Sequence, residues 1–83
     1  MAKFSAAYQV SVKQLLRKLV CNFASKTVKF GSDYVTFTRL RTSFAIDFKG
    51  ENYKKSIEMP AEEFFKIAPD NNETVSSVIC RIH

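Results

Sequence analysis

The sequence predicts an α+β fold, an antiparallel sheet with two helices on one face in the order β-α-β-β-β-β-α-β. Two observations carry this prediction. Apolar and polar residues alternate in the N-terminal segment, in four middle segments and in the last segment, as they do in half-buried strands. After the first of these segments, apolar residues instead recur at intervals of three and four, as on one face of a helix. The chain of 83 residues has room for one hydrophobic core, so residues 1–83 are predicted to form a single domain.

The N-terminal elements are predicted to be a strand and a helix. Alternation from Lys3 to Val10 predicts the strand, and Ser11 is a good N-cap for the helix. The apolar stripe that follows predicts that this helix ends near Ser25. The stripe consists of Val12, Leu15, Leu16, Leu19, Val20 and Phe23.

The middle of the chain is predicted to form four short strands in two hairpins. Gly31-Ser32-Asp33 and Lys49-Gly50-Glu51-Asn52 have the composition of tight turns. The strands are predicted from Val28 and Phe30, from Val35 and Phe37, from Phe44, Ile46 and Phe48, and from Tyr53, Lys55, Ile57 and Met59.

A second helix and a last strand complete the predicted fold. Pro60 is well placed to begin a helix over Ala61–Ile67, since proline is tolerated at a helix start. The alternation of Val78, Cys80 and Ile82 predicts a strand over Val75–Ile82. In that strand Cys80 would face the core, whereas Cys21 would lie on the outside of the first helix.

Composition narrows the class of function. Thirteen Lys and Arg residues against eight Asp and Glu residues give a net charge of +5, which indicates either a basic solvated surface or attraction to phosphate. The two cysteines are far apart and have no metal-ligand spacing, so neither zinc nor another metal is expected. There is no apolar run of signal-peptide or membrane-spanning length, so we expect a cytoplasmic protein with no membrane partner.

The residues of a catalytic site are lacking in the sequence. The only histidine is His83, at the chain end, and the two glycines lie in predicted turns rather than in a phosphate-binding loop. The carboxylate pair Glu62-Glu63 lies at a helix start, where it complements the helix dipole. We therefore expect no enzymatic activity and no cofactor.

The first helix carries the main functional signal. Its face opposite the apolar stripe has three cations and no carboxylate, which favours a phosphate-bearing partner over a mixed solvated surface. The candidate nucleic-acid-binding residues on this helix are Lys13, Gln14, Arg17 and Lys18, and Arg39 and Arg41 extend the set. The eight phenylalanines and three tyrosines lie mostly on apolar faces, so core packing is favoured over base stacking as their role.

Three stretches resemble a domain of the DNA sliding clamps that hold replicative polymerases on their template. They are KFSAAYQVSVKQLLRKL with VKFGSDYVTFTRLRTSFAIDF, and SIEMPAEEFFKIAPDNNETVSSVICRI. The resemblance implies that a first helix, here bearing Lys13, Arg17 and Lys18, lines a channel and meets duplex DNA backbone without reading sequence. One such module would encircle DNA only by assembling several copies, so the resemblance also implies a homo-oligomer.

Three hypotheses about function follow from the sequence. The first is a non-enzymatic DNA-associated module with a clamp-like fold. The second is a small inhibitor or adaptor from a mobile genetic element that docks on a host protein, which suits a short chain without chemical motifs. The third is a single-strand nucleic-acid binder that uses the sheet.

Overall fold

The computed structural model describes residues 4–82 and is an α+β fold with one five-stranded sheet. The strands are β1 (Ser5–Ala6), β2 (Ser25–Phe30), β3 (Asp33–Arg39), β4 (Ser43–Lys49) and β5 (Lys54–Pro60). The helices are α1 (Val12–Lys18), α2 (Ala61–Ile67) and α3 (Val75–Ile82). The predicted fold class is confirmed, with three helices where two were predicted. Lys3 and His83 lie outside the described residues, so the predictions made for them do too.

The sheet follows chain order, β1-β2-β3-β4-β5. The two predicted hairpins are confirmed, because β2 pairs with β3 and β4 pairs with β5 in antiparallel register, and β3 and β4 are antiparallel as well. The first hairpin turns at Gly31, whose φ of 66° is in the left-handed region that glycine adopts without steric cost.

The core lies between one face of the sheet and the three helices. Strand residues such as Val35, Phe37 and Ile46 are fully buried together with Leu15 of α1 and Phe64 of α2. Because side chains alternate along a strand, the same pattern sends the intervening residues of β2 to β5 to the opposite face, here called the open face.

The first strand is shorter than predicted and pairs differently. Only Ser5–Ala6 is extended, and it runs parallel to β2 rather than antiparallel. A 3₁₀ turn over Ala7–Gln9 then rotates the chain, so that Val10 is buried and Tyr8 is exposed, although alternation placed both on one face. The parallel pair is joined through α1, since parallel neighbours need a crossover connection.

The first helix ends at Lys18 instead of continuing to Ser25, so the predicted end was wrong. A turn over 19–24 follows it, and pairing with β3 then begins with Ser25 opposite Thr38. The N–H of Arg39 donates to Ala24 O at 2.9 Å, and the N–H of Phe23 donates to Arg39 O. These hydrogen bonds hold a turn where helix periodicity continued, and Val20 and Phe23, predicted as core residues, are exposed.

The last element is a helix, so the predicted final strand was wrong. Val75, Val78 and Ile79 are buried, which is the three-and-four spacing of a helix rather than alternation. Thr74 lies before the helix, and its hydroxyl accepts a hydrogen bond from the N–H of Ser77 at 3.4 Å. The helical phase turns Cys80 outward, which also corrects the prediction that Cys80 is buried.

Candidate nucleic-acid interface

The start of α1 is closed by hydrogen bonds within the protein. Ser11 and Gln14 form a capping box, in which the N–H of Gln14 donates to Ser11 Oγ at 3.2 Å and the N–H of Ser11 donates to Gln14 Oε1 at 3.0 Å. The N–H groups of Val12 and Lys13 donate to the carbonyls of Glu73 and Asn71. Any attraction of α1 for anions therefore comes from its side chains rather than from its N-terminal amides.

Three cations lie exposed on α1. They are Lys13 in the first turn and Arg17 and Lys18 in the last turn, where positive charge also complements the helix dipole. The helix is shorter than predicted, with seven residues, but these cations lie on its exposed face as predicted. The helix dipole alone is a sufficient reason for cations in the last turn, so a binding role needs support from the surroundings.

A groove beside α1 provides that support. It has a volume of about 420 Å³, and Arg17 and Lys18 line it together with Lys26 of β2. Its other lining residues are Ser5, Gln9, Val10 and Gln14. Three cations from two elements thus converge on one depression, and none of its lining residues carries a negative charge.

Sequence reasoning missed Lys26. The sequence does indicate which side of the sheet Lys26 is on. Lys26 is two residues before Val28 and four before Phe30, so its side chain lies on the same face of β2, where α1 packs. Its closeness to the last turn of α1 depends on how the helix lies against the strand, which the spacing of residues along the chain does not specify.

A second depression of about 370 Å³ continues the first one. Lys18 and Lys26 line both, and Phe4, Ser25 and Thr27 complete the second. The lining residues of this second depression are likewise free of carboxylates. Together the two depressions are called the basic groove, with the cations Arg17, Lys18 and Lys26.

The remaining predicted site residues lie elsewhere. Arg39 is half-buried at the end of β3, and its guanidinium donates to Leu19 O at 3.2 Å, just beyond α1. Arg41 is exposed in the turn between β3 and β4. Lys13 is exposed on α1 but is not among the residues that line the groove. The structure thus brings Gln14, Arg17 and Lys18 together, and gives Arg39 a contact that holds the end of α1 against the sheet.

Residues 4–82 contain neither a metal-ligand cluster nor a membrane-spanning helix. No three His, Cys, Asp or Glu side chains of that range lie close enough together to hold a metal ion. None of the helices described in this range is long and apolar enough to cross a membrane.

No family model, curated protein or solved structure matches the chain. The resemblance to sliding-clamp domains stays a prediction.

Proposed function

We propose that this protein is a non-enzymatic, DNA-associated binding module that contacts the backbone of duplex DNA through α1 and the basic groove. The single observation that carries the proposal is the convergence of Arg17, Lys18 and Lys26 on one depression without a carboxylate. Cations so placed bind phosphates and release condensed counterions, which supplies most of the affinity of sequence-independent DNA binding. Backbone contacts of this kind position a protein without reading bases.

The proposal includes a clamp-like arrangement of several copies in the cytoplasm. It is supported by element order, because a clamp domain has a strand, a helix, three strands, and a further strand that leads into a second helix, as β1 to α2 do here. A clamp domain then continues with strands, whereas this chain has α3. A small core and two sheet edges, at β1 and β5, favour association of copies.

Light scattering at tens of micromolar should give a mass above that of one chain, and a monomer at every concentration would remove the ring from the proposal.

The experiment that tests DNA binding is fluorescence anisotropy with a labelled random duplex at low salt. We expect binding that weakens with salt and that changes little when the duplex sequence is changed. Absence of binding at low salt would refute the proposed function. A second duplex of different sequence and equal length is the control for base readout.

One observation favours a second candidate, docking on another protein. Val20 and Phe23 are 69% and 66% exposed, and the loop that carries them is held to Arg39 by backbone hydrogen bonds. Phe23 has a φ of 68°, which is uncommon for a bulky residue and costs free energy. Strained residues cluster at binding sites, and aromatic residues are enriched among those that carry binding energy.

Capture from the native host with and without nuclease separates the two candidates. Phe23→Asn is a suitable variant, because asparagine tolerates positive φ while the aromatic ring is lost. A host protein that is captured after nuclease treatment by the wild type, and not by Phe23→Asn, would favour docking. Capture that nuclease abolishes for both proteins would favour the DNA-associated function.

A further inference from the structure

The open face of the sheet carries a row of lysines around a tyrosine. Lys29 of β2 and Lys49 of β4 are each directly opposite Tyr34 of β3, and Lys54 of β5 is opposite Lys49. Residues that are directly opposite in a sheet project from the same face. All four side chains are exposed, because the helices bury their apolar residues in the core on the other face.

An aromatic pair lies in this row. The ring centroids of Phe4 and Tyr34 are 4.9 Å apart with planes tilted by 56°, and the two residues are 48% and 37% exposed. Cross-strand packing explains part of this contact. It leaves unexplained why two aromatic residues remain half exposed between lysines. Their neighbours on this face include polar residues such as Thr27 and Thr36, whose hydroxyls are hydrogen-bonded to each other.

The aromatic pair is continuous with the basic groove. Phe4 lines the groove together with Lys18 and Lys26, so one edge of the pair meets the cations beside α1. The other edge, at Tyr34, meets Lys29 and Lys49. Positive charge therefore flanks the rings on both sides.

Carboxylates lie at the borders of this surface. Asp47 and Glu58 on the open face accept hydrogen bonds from Ser56 and Ser43, respectively. Glu51 lines a shallow hollow with Tyr34 and Lys49 on the side of the second hairpin. The path from the basic groove over Phe4 combines a ring with cations and has no carboxylate among its lining residues, whereas Glu51 lies beside Lys49 at the far end of Tyr34.

We propose that the Phe4–Tyr34 pair stacks an unpaired base of single-stranded DNA, whose phosphates contact the basic groove on one side and Lys29 and Lys49 on the other. The inference rests on the proposed function, since the basic groove supplies the phosphate contacts. Rings that stack bases within a positively charged track are how single strands are bound without sequence preference. Duplex DNA keeps its bases stacked inside, so it uses the groove but not the rings.

The experiment compares two single strands of equal length and charge, an oligothymidylate and an oligomer of abasic nucleotides. Binding of the labelled strands is measured by anisotropy at low salt. The wild-type protein should bind the strand with bases more tightly by a factor of about 5 to 150, the value of one stacked base. Tyr34→Ala should bring this ratio close to one, while Tyr34→Phe, which keeps the ring, should preserve it.

Two further variants separate stacking from charge. Arg17→Glu should weaken both strands and leave their ratio unchanged, because it removes a phosphate contact from each. Phe65→Ala removes an exposed ring from α2, on the other side of the sheet, and should leave the ratio at the wild-type value. Circular dichroism melts show that each variant folds before its ratio is compared with that of the wild type.

The outcomes distinguish failure of this inference from failure of the proposed function. If the wild type binds both single strands equally while its duplex binding depends on Arg17, the stacking site is overturned. The proposed contact with the DNA backbone then stands. A preference for bases that persists in Tyr34→Ala would overturn the assignment to this pair. No binding of any DNA at low salt would overturn both.

Discussion

Arg17→Glu is the variant that tests the proposed function most directly. Arg17 is exposed in the last turn of α1 and lines the basic groove with Lys18 and Lys26. Three phosphate contacts predict a log-log salt slope of about −2.7 for duplex DNA, and two contacts predict about −1.8. A fourfold rise in salt should therefore weaken wild-type binding by about 40-fold and the variant by about 12-fold. At low salt, loss of one charged contact should cost about 1.5–3 kcal/mol of binding free energy.

The chain offers a closely matched control, Lys66→Glu. Lys66 is an exposed cation in the last turn of α2, which has seven residues like α1, so both variants make the same change of charge at the same place in a helix. Each variant loses a favourable interaction with the helix dipole, which should lower its free energy of unfolding by about 0.3–1 kcal/mol. Lys66 lies near Glu63 at 3.9 Å, an exposed pair of little energetic value.

The assay is anisotropy titration of a labelled duplex at several salt concentrations, with thermal melts of each protein. We expect Arg17→Glu to lower affinity and flatten the slope, and Lys66→Glu to change both much less. Equal effects from the two variants would mean that net charge, rather than the basic groove, governs binding. A wild-type slope near zero would refute the phosphate contacts themselves.

Three other predictions concern the fold. Cys21 and Cys80 are both exposed, so both should react readily with a thiol reagent in the native state, and slow reaction of one would contradict its placement. Phe64→Ala should lower the free energy of unfolding by about 3–5 kcal/mol in urea titration, because Phe64 is fully buried, and a loss below about 1 kcal/mol would contradict this packing. The hydrogen bond that Tyr53 donates to Asp33 raises the pKa of Tyr53 above 10.0, so its stabilisation is present below that pH and is lost as pH rises through the raised pKa. Asp33→Ala should lower that pKa in an NMR titration of labelled tyrosine, and an unchanged value would count against the bond.

Several elements were predictable because their signals are local. The turn at Gly31 and Ser32 connects the alternating residues of β2 and β3, which pair as expected. Ser11 was identified as a helix cap from its neighbours, and its hydroxyl caps α1. The outward direction of Arg17 and Lys18 follows from helix phase relative to Leu15, which is buried. In each case the deciding residues lie within one turn of helix or one hairpin.

Errors arose where two local patterns competed. Val75–Ile82 satisfies alternation in part, at Val78, Cys80 and Ile82, and helical spacing in full. The segment is helical because helical spacing buries Val75, Val78 and Ile79 together in the core. The stripe of α1 continued to Phe23, yet the helix ends at Lys18, and Phe23 and Ala24 instead form backbone hydrogen bonds with Arg39 of β3. Tertiary burial and strand register override short-range periodicity when they satisfy more groups.

By itself, the sequence determined the α+β class, the two hairpins, the cap of α1 and a helix face with cations and no carboxylate. Only the tertiary structure decided that Lys26 joins Arg17 and Lys18 in one groove, and that Phe4 packs on Tyr34. The physical reason is distance along the chain. A periodic pattern reports which way a side chain faces on its own element, whereas a groove or a ring pair depends on how separate elements pack, and core burial determines that packing.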